Sequence, residues 1–95
     1  MKLNFNQLKV KELKSKWGSC QYLKKIIIIN WRLIMAPTSV IDYVIVHELC
    51  HLIQPNHSEK FWIEVKKYKS DYFEDKLWLK EKGFLVLNLG ASERI

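Results

Sequence analysis

All three histidines of this 95-residue chain fall within eleven residues, His47 to His57, which read HELCHLIQPNH. No other stretch restricts the chain so tightly. His47 and His51 are four apart, so on a helix they share one face, at roughly 5–6 Å between Cβ atoms, and can grip one ion. Zinc suits imidazole, and Glu48, directly after the first histidine, would stand beside the open coordination position. A metal lowers the pKa of its water to about 7, and a carboxylate there can take the proton as that water attacks a carbonyl. His57 lies beyond Pro55, a residue that ends helices and biases its predecessor away from helical geometry. The chain can therefore leave the helix and return His57 as a third ligand. Three protein ligands, one open position and one base compose a catalytic zinc site rather than a closed structural one. An isolated HExxH match is weak, since a buried histidine can simply bond a carbonyl. Here every histidine sits in the cluster and the surrounding helix is otherwise apolar, so a glutamate buried in it needs a charge to meet.

Length bounds the rest. Residues 1–95 read as a single domain, small enough that a bound metal would matter to its stability. With 48% hydrophobic residues and four tryptophans the chain is globular rather than disordered. No apolar run approaches the roughly 18 residues of a membrane span, and the N-terminus lacks a charged-then-apolar leader. A soluble cytoplasmic protein with no membrane partner is expected. In that setting Cys20 and Cys50, which lack CxxC spacing, are expected as reduced thiols, Cys50 as a small buried apolar residue. A zinc site closed by both cysteines and two histidines is the rival arrangement, with Cys20 reaching across.

The net charge is +6 and uneven, with seven lysines against Glu12 alone in residues 1–25. Fourteen of the sixteen basic residues are lysines. Planar phosphate recognition favours arginine, so a solvated basic face is expected and nucleic acid is not an expected partner.

Along the chain, Lys9 to Lys16 alternates with period two and reads as a lysine-rich edge strand. Trp17–Cys20 interrupts it, and Gly18 suggests a bulge or a close backbone approach. Lys25 to Asn30 carries four consecutive isoleucines and reads as a buried strand, paired antiparallel with the first through a turn around Gln21–Lys24. Trp31 to Met35 suggests a helical turn. Thr38 or Ser39 is expected to cap the central helix, with Asp42 in its first turn and apolar residues from Val40 to Ile53. A second helix is predicted from Ser58 to about Lys69, with Phe61, Trp62, Val65 and Tyr68 in the core. A third is predicted from about Asp71 to Lys82, with Leu77, Trp78 and Leu79 inward and Gly83 as its C-cap. Strands first and helices after indicate an α+β domain.

The segments WGSC, NWRLIMAP, IDYVIVHELCHL and NHSEKFW together resemble the minigluzincins, minimal zinc metallopeptidases similar to the YgjP-like hydrolases. The likeness covers roughly residues 15–70. It implies a zincin-like, gluzincin-type fold: a small, mostly antiparallel sheet, an active-site helix bearing HELCH, and backing helices. It also implies His57 as third ligand, with Glu64 as the candidate under the ordinary gluzincin pattern. By the same resemblance the stretch Gly18, Ser19 and Cys20 borders the cleft and binds substrate as an added strand, in keeping with the unpaired backbone groups of an open edge.

The resulting expectation is a zinc metallopeptidase with one ion per chain on His47, His51 and His57, Glu48 as general base, and peptide or protein substrates. Tyr43, Tyr72 and Arg32 are candidates for stabilising the oxyanion. Alternatives are a metal-dependent nucleotide phosphohydrolase, or a non-catalytic zinc-stabilised binding module. The tail, residues 84–95, begins with apolar FLVLNL. It either closes the core or lies across a cleft as a regulatory segment, its own or that of a partner in a tail-exchanged homodimer, with Gly83 as hinge.

Overall fold

A computed structural model describes residues 5–13 and 16–87, with side chains through Lys82. Three strands come first, β1 (Gln7–Lys11), β2 (Gly18–Gln21) and β3 (Ile26–Asn30). A short 3-10 turn, Trp31–Met35, leads into α1 (Thr38–Cys50), followed by α2 (Glu59–Tyr68) and α3 (Tyr72–Leu87). The class is α+β, as the order of elements implied.

The isoleucine strand lies in the middle of a mixed sheet of order β1-β3-β2. β3 pairs antiparallel with β2, Ser19 opposite Ile28, and parallel with β1, Val10 opposite Ile29. Two expectations are corrected here. The lysine-rich segment is a strand only to Lys11 and runs parallel to β3, and the antiparallel partner is the segment that was read as an interruption. The turn was placed correctly, at residues 22–25, where Lys25 has φ 54°. Trp17 explains the choice of partner: it is fully buried and carries the start of β2 into the core.

Asn30 anchors this topology. It is 1% exposed, and its Nδ2 donates to the carbonyls of Leu13 and Lys16, both at 3.0 Å, fixing the crossover from β1 to β2. Its Oδ1 accepts from the Arg32 amide at 3.1 Å and so starts the 3-10 turn.

α1 packs against β2 and β3 and against both other helices. It is buried nearly all round, including Val40, Tyr43, Val44, Val46 and Leu49, as its apolar sequence required. Its N-terminus is not capped by Thr38 or Ser39: Pro37 precedes it without a side-chain cap, and Asp42 lies beyond the first turn. Ser39 is drawn instead into a tertiary network, its Oγ donating to Asp75 at 2.7 Å and accepting from Lys69 at 2.8 Å. The helix stops at Cys50, with His51 still in helical geometry. On α2, Phe61 and Val65 are core but Tyr68 is 40% exposed; on α3, Leu79 is core and Leu77 is 43% exposed. α3 runs through Gly83 to Leu87, so Gly83 is not a C-cap. Residues 88–95, most of the expected tail, lie outside the described residues. No described helix is long and apolar enough to cross a membrane.

Asn30→Ala removes the donor from the part-buried carbonyls of Leu13 and Lys16, each costing up to about 1–3 kcal/mol where water cannot replace it. It should lower stability by about 2–4 kcal/mol in a urea melt, with metal held constant. A change below about 0.5 kcal/mol would show that the crossover is held by other means.

Candidate metal centre

Helical spacing brings His47 and His51 together, with ring centroids 5.0 Å apart. The loop through Pro55 then returns His57 so that its Nε2 lies 3.2 Å from Nε2 of His47 and 3.1 Å from Nε2 of His51. The three ligand atoms all lie within 4.8 Å of one another, and this is the one such group among the described residues. Two nitrogens bound to one tetrahedral zinc at 2.0–2.1 Å stand about 3.3 Å apart. The observed spacings suit that geometry.

The outward ring atoms support the same use. His51 Nδ1 lies 3.1 Å from the Gln54 carbonyl, which can only accept, so Nδ1 carries the proton and Nε2 keeps its lone pair. His47 Nδ1 lies 3.3 Å from the hydroxyl of Tyr43, one turn earlier on α1, whose oxygen can accept the same way. Burial, and then Lys76, hold His57 below the usual imidazole range; burial first of all does so for His51. Neutral imidazole is the form a metal needs. Phe61 contacts all three rings, at centroid distances of 4.9, 4.4 and 5.1 Å. Trp62 stacks on His57 at 6.0 Å and meets His47 edge-on at 5.7 Å.

Glu48 is 3% exposed. Burial pushes its carboxyl up to about 8, with the charge of Lys16 pulling the other way. A carboxylate in this setting calls for a nearby cation, which an ion on the three imidazoles would provide. The donor set and the buried acid therefore both fit a divalent metal. Gly18 is the counterpart: a Cβ there would meet Glu48 Cγ and Oε2 at 3.0 Å and Val44 at 3.1 Å. It is a close backbone approach, with β2 laid directly on Glu48.

The remaining candidates sort by position. Cys50 is fully buried and Cys20 half-buried, and burial raises their thiols to about 12 and about 11. Neither belongs to the nitrogen cluster, so the site is not closed by sulfur. Glu64 accepts from Lys67 at 2.9 Å and is not part of the group either. Arg32 bonds Glu12 at 3.0 Å and lies over Trp31. The Tyr43 hydroxyl meets the Nδ1 side of His47, away from the converging nitrogens. Tyr72 stacks on Trp62 at 5.4 Å, which makes it the member of that trio on the wall of the site. Sequence reading took Phe61 and Trp62 as core alone; their place four and five residues after His57, on one helical turn, was the available signal.

A small sheet, a central helix presenting two imidazoles and a buried acid, and a third imidazole from the next loop define a minigluzincin-type metallopeptidase domain. The chain belongs to the YgjP-like family, whose metallopeptidase-domain model matches residues 1–82. It is similar to the metallopeptidase zymogen jannalysin of Methanocaldococcus jannaschii, with TM-score 0.70 and 26% identity over 86% of this chain and 83% of that one. The metallopeptidase zymogen abylysin of Pyrococcus abyssi shares the fold, with TM-score 0.65 and 23% identity over 80% and 78% of the two chains. No curated protein matches the sequence.

His57→Ala should lower zinc affinity by more than the roughly 10–100-fold typical of losing an outer partner of a ligand, whereas Glu64→Ala should leave it unchanged. Chelator competition reads both. The reverse pattern would transfer the third ligand to Glu64.

Proposed function

We propose that this protein is a zinc-dependent metallopeptidase in which His47, His51 and His57 hold the ion and Glu48 handles the protons. The observation that carries this reading is the convergence of three imidazole nitrogens within 4.8 Å of one another, with Glu48, the residue after His47 on α1, buried at 3% exposure. Zinc held there supplies Lewis acidity to a water molecule and to the substrate carbonyl. Glu48 takes the proton of the attacking water and returns it to the leaving amine. β2 is an edge strand, with β3 on one side and no described strand on the other. An extended peptide can therefore add along Gly18, Ser19 and Cys20, with main-chain hydrogen bonds aligning its scissile bond. Gly18 lets that strand lie close to Glu48. The metallopeptidase family favours a peptide bond over a nucleotide phosphate as the target.

Both solved relatives are zymogens. We propose that this chain is latent too, through its tail, residues 84–95, acting on its own cleft or on that of a second copy in a homodimer.

Glu48→Gln retains shape and a hydrogen-bonding group but loses the proton acceptor. Zinc content should stay the same while peptide hydrolysis falls by about 10²–10⁴-fold; wild-type turnover in this variant would leave a non-catalytic zinc module as the better description. Truncation after Leu87 should raise peptidase activity of a folded, metal-loaded protein. A folded truncated chain with no gain in activity would rule out latency through the tail.

A further inference from the structure

On the helical side of the metal centre, Lys76 lies against the aromatic wall of the site. Lys76 Nζ lies 4.2 Å from the centroid of the Trp62 ring. Trp62 is the residue that stacks on His57 at 6.0 Å and 27°, and Tyr72 stacks on Trp62 at 5.4 Å and 23°. Three acids of α2, α3 and the turn between them pair with other lysines. Glu64 pairs with Lys67 at 2.9 Å, Asp71 with Lys69 at 2.8 Å and the buried Asp75 with Lys69 at 3.0 Å. Among the described residues, no carboxylate forms an ion pair with Lys76. A flexible lysine over an indole face is held by the ring quadrupole while its ammonium keeps donors for another partner. On the strand side, Lys16 is the charge whose field reaches Glu48. Lys76 and Lys16 thus each add positive charge on one side of the site, beside that of the proposed ion.

We infer that Lys76, seated on Trp62 beside His57, is a specificity-determining residue that selects peptides with an acidic side chain next to the scissile bond. The inference rests on the peptidase reading and adds the substrate class. A carboxylate on the substrate completes the ion pair that the protein leaves open, with Trp62 and Tyr72 giving the side chain's methylenes an apolar wall. A lysine at the same substrate position meets like charge and is disfavoured.

The test uses zinc-loaded protein, both full-length and truncated after Leu87, and peptides identical except for Glu, Gln or Lys at one position flanking the bond. Binding is measured by calorimetry in the Glu48→Gln background, where peptides stay intact. The Glu peptide should bind about three- to fivefold more tightly than the Gln peptide, within the range of an exposed ion pair, and the margin should shrink as salt is raised. Lys76→Glu should reverse the order so that the Lys peptide binds best, while Lys76→Gln should remove the preference; both variants should keep zinc affinity. Equal binding of the three peptides, or a preference that ignores Lys76, overturns the inference. Cleavage by protein with Glu48 intact separates the two claims. Hydrolysis without charge preference sinks the inference alone, whereas a Lys76-dependent binding preference with no hydrolysis of any peptide by either form sinks the peptidase reading and leaves an acidic-peptide cleft.

Discussion

Buried Glu48 and the three converging imidazoles impose a joint electrostatic condition on the fold. A carboxylate that is 3% exposed, under a strand with room for no side chain at Gly18, is costly unless positive charge comes to it. Burial favours the neutral form of His51 and His57, which makes them poor sources of that charge. A divalent ion on their nitrogens resolves both problems together. It uses the neutral lone pairs and compensates the acid. The rest of the molecule holds this arrangement in place: Tyr43 and the Gln54 carbonyl orient two rings from behind, and Phe61 packs against all three.

The same condition couples binding to stability. A sheet of three short strands and three helices gives a small core, drawn largely from α1, β3, Phe61, Val65 and Leu79. A ligand that binds only the folded chain stabilises it by mass action. The loop from His51 to His57, with little buried apolar surface of its own, has most to gain.

The clustering of the three histidines was legible in the sequence because its rules are local. Four-residue spacing on an apolar helix aligns His47 with His51, and Pro55 frees the chain to bring back His57. The close approach at Gly18 was half-legible: a glycine marked it, but only the fold shows that Glu48 is what it approaches. Strand pairing was not legible, because the alternation of Lys9 to Lys16 says nothing about which side of β3 that segment joins. Register came from Trp17 and Asn30, whose partners are up to 17 residues away. The helix cap failed for a similar reason. Ser39 has the chemistry of a cap, but Asp75 and Lys69, more than 25 residues on, compete for its hydroxyl and win. Gly83 misled because one glycine inside a helix costs only about 0.5–1 kcal/mol, too little to end α3.

The central claim is that three nitrogens and an open position form the metal site, with sulfur excluded. Zinc-edge X-ray absorption on the purified protein, together with metal analysis, tests it most directly. The account predicts one zinc per chain with three imidazole nitrogens at about 2.0–2.1 Å, one further oxygen and no sulfur. A sulfur ligand at about 2.3 Å, from Cys20 or Cys50, or a folded protein that binds no stoichiometric metal, would contradict it.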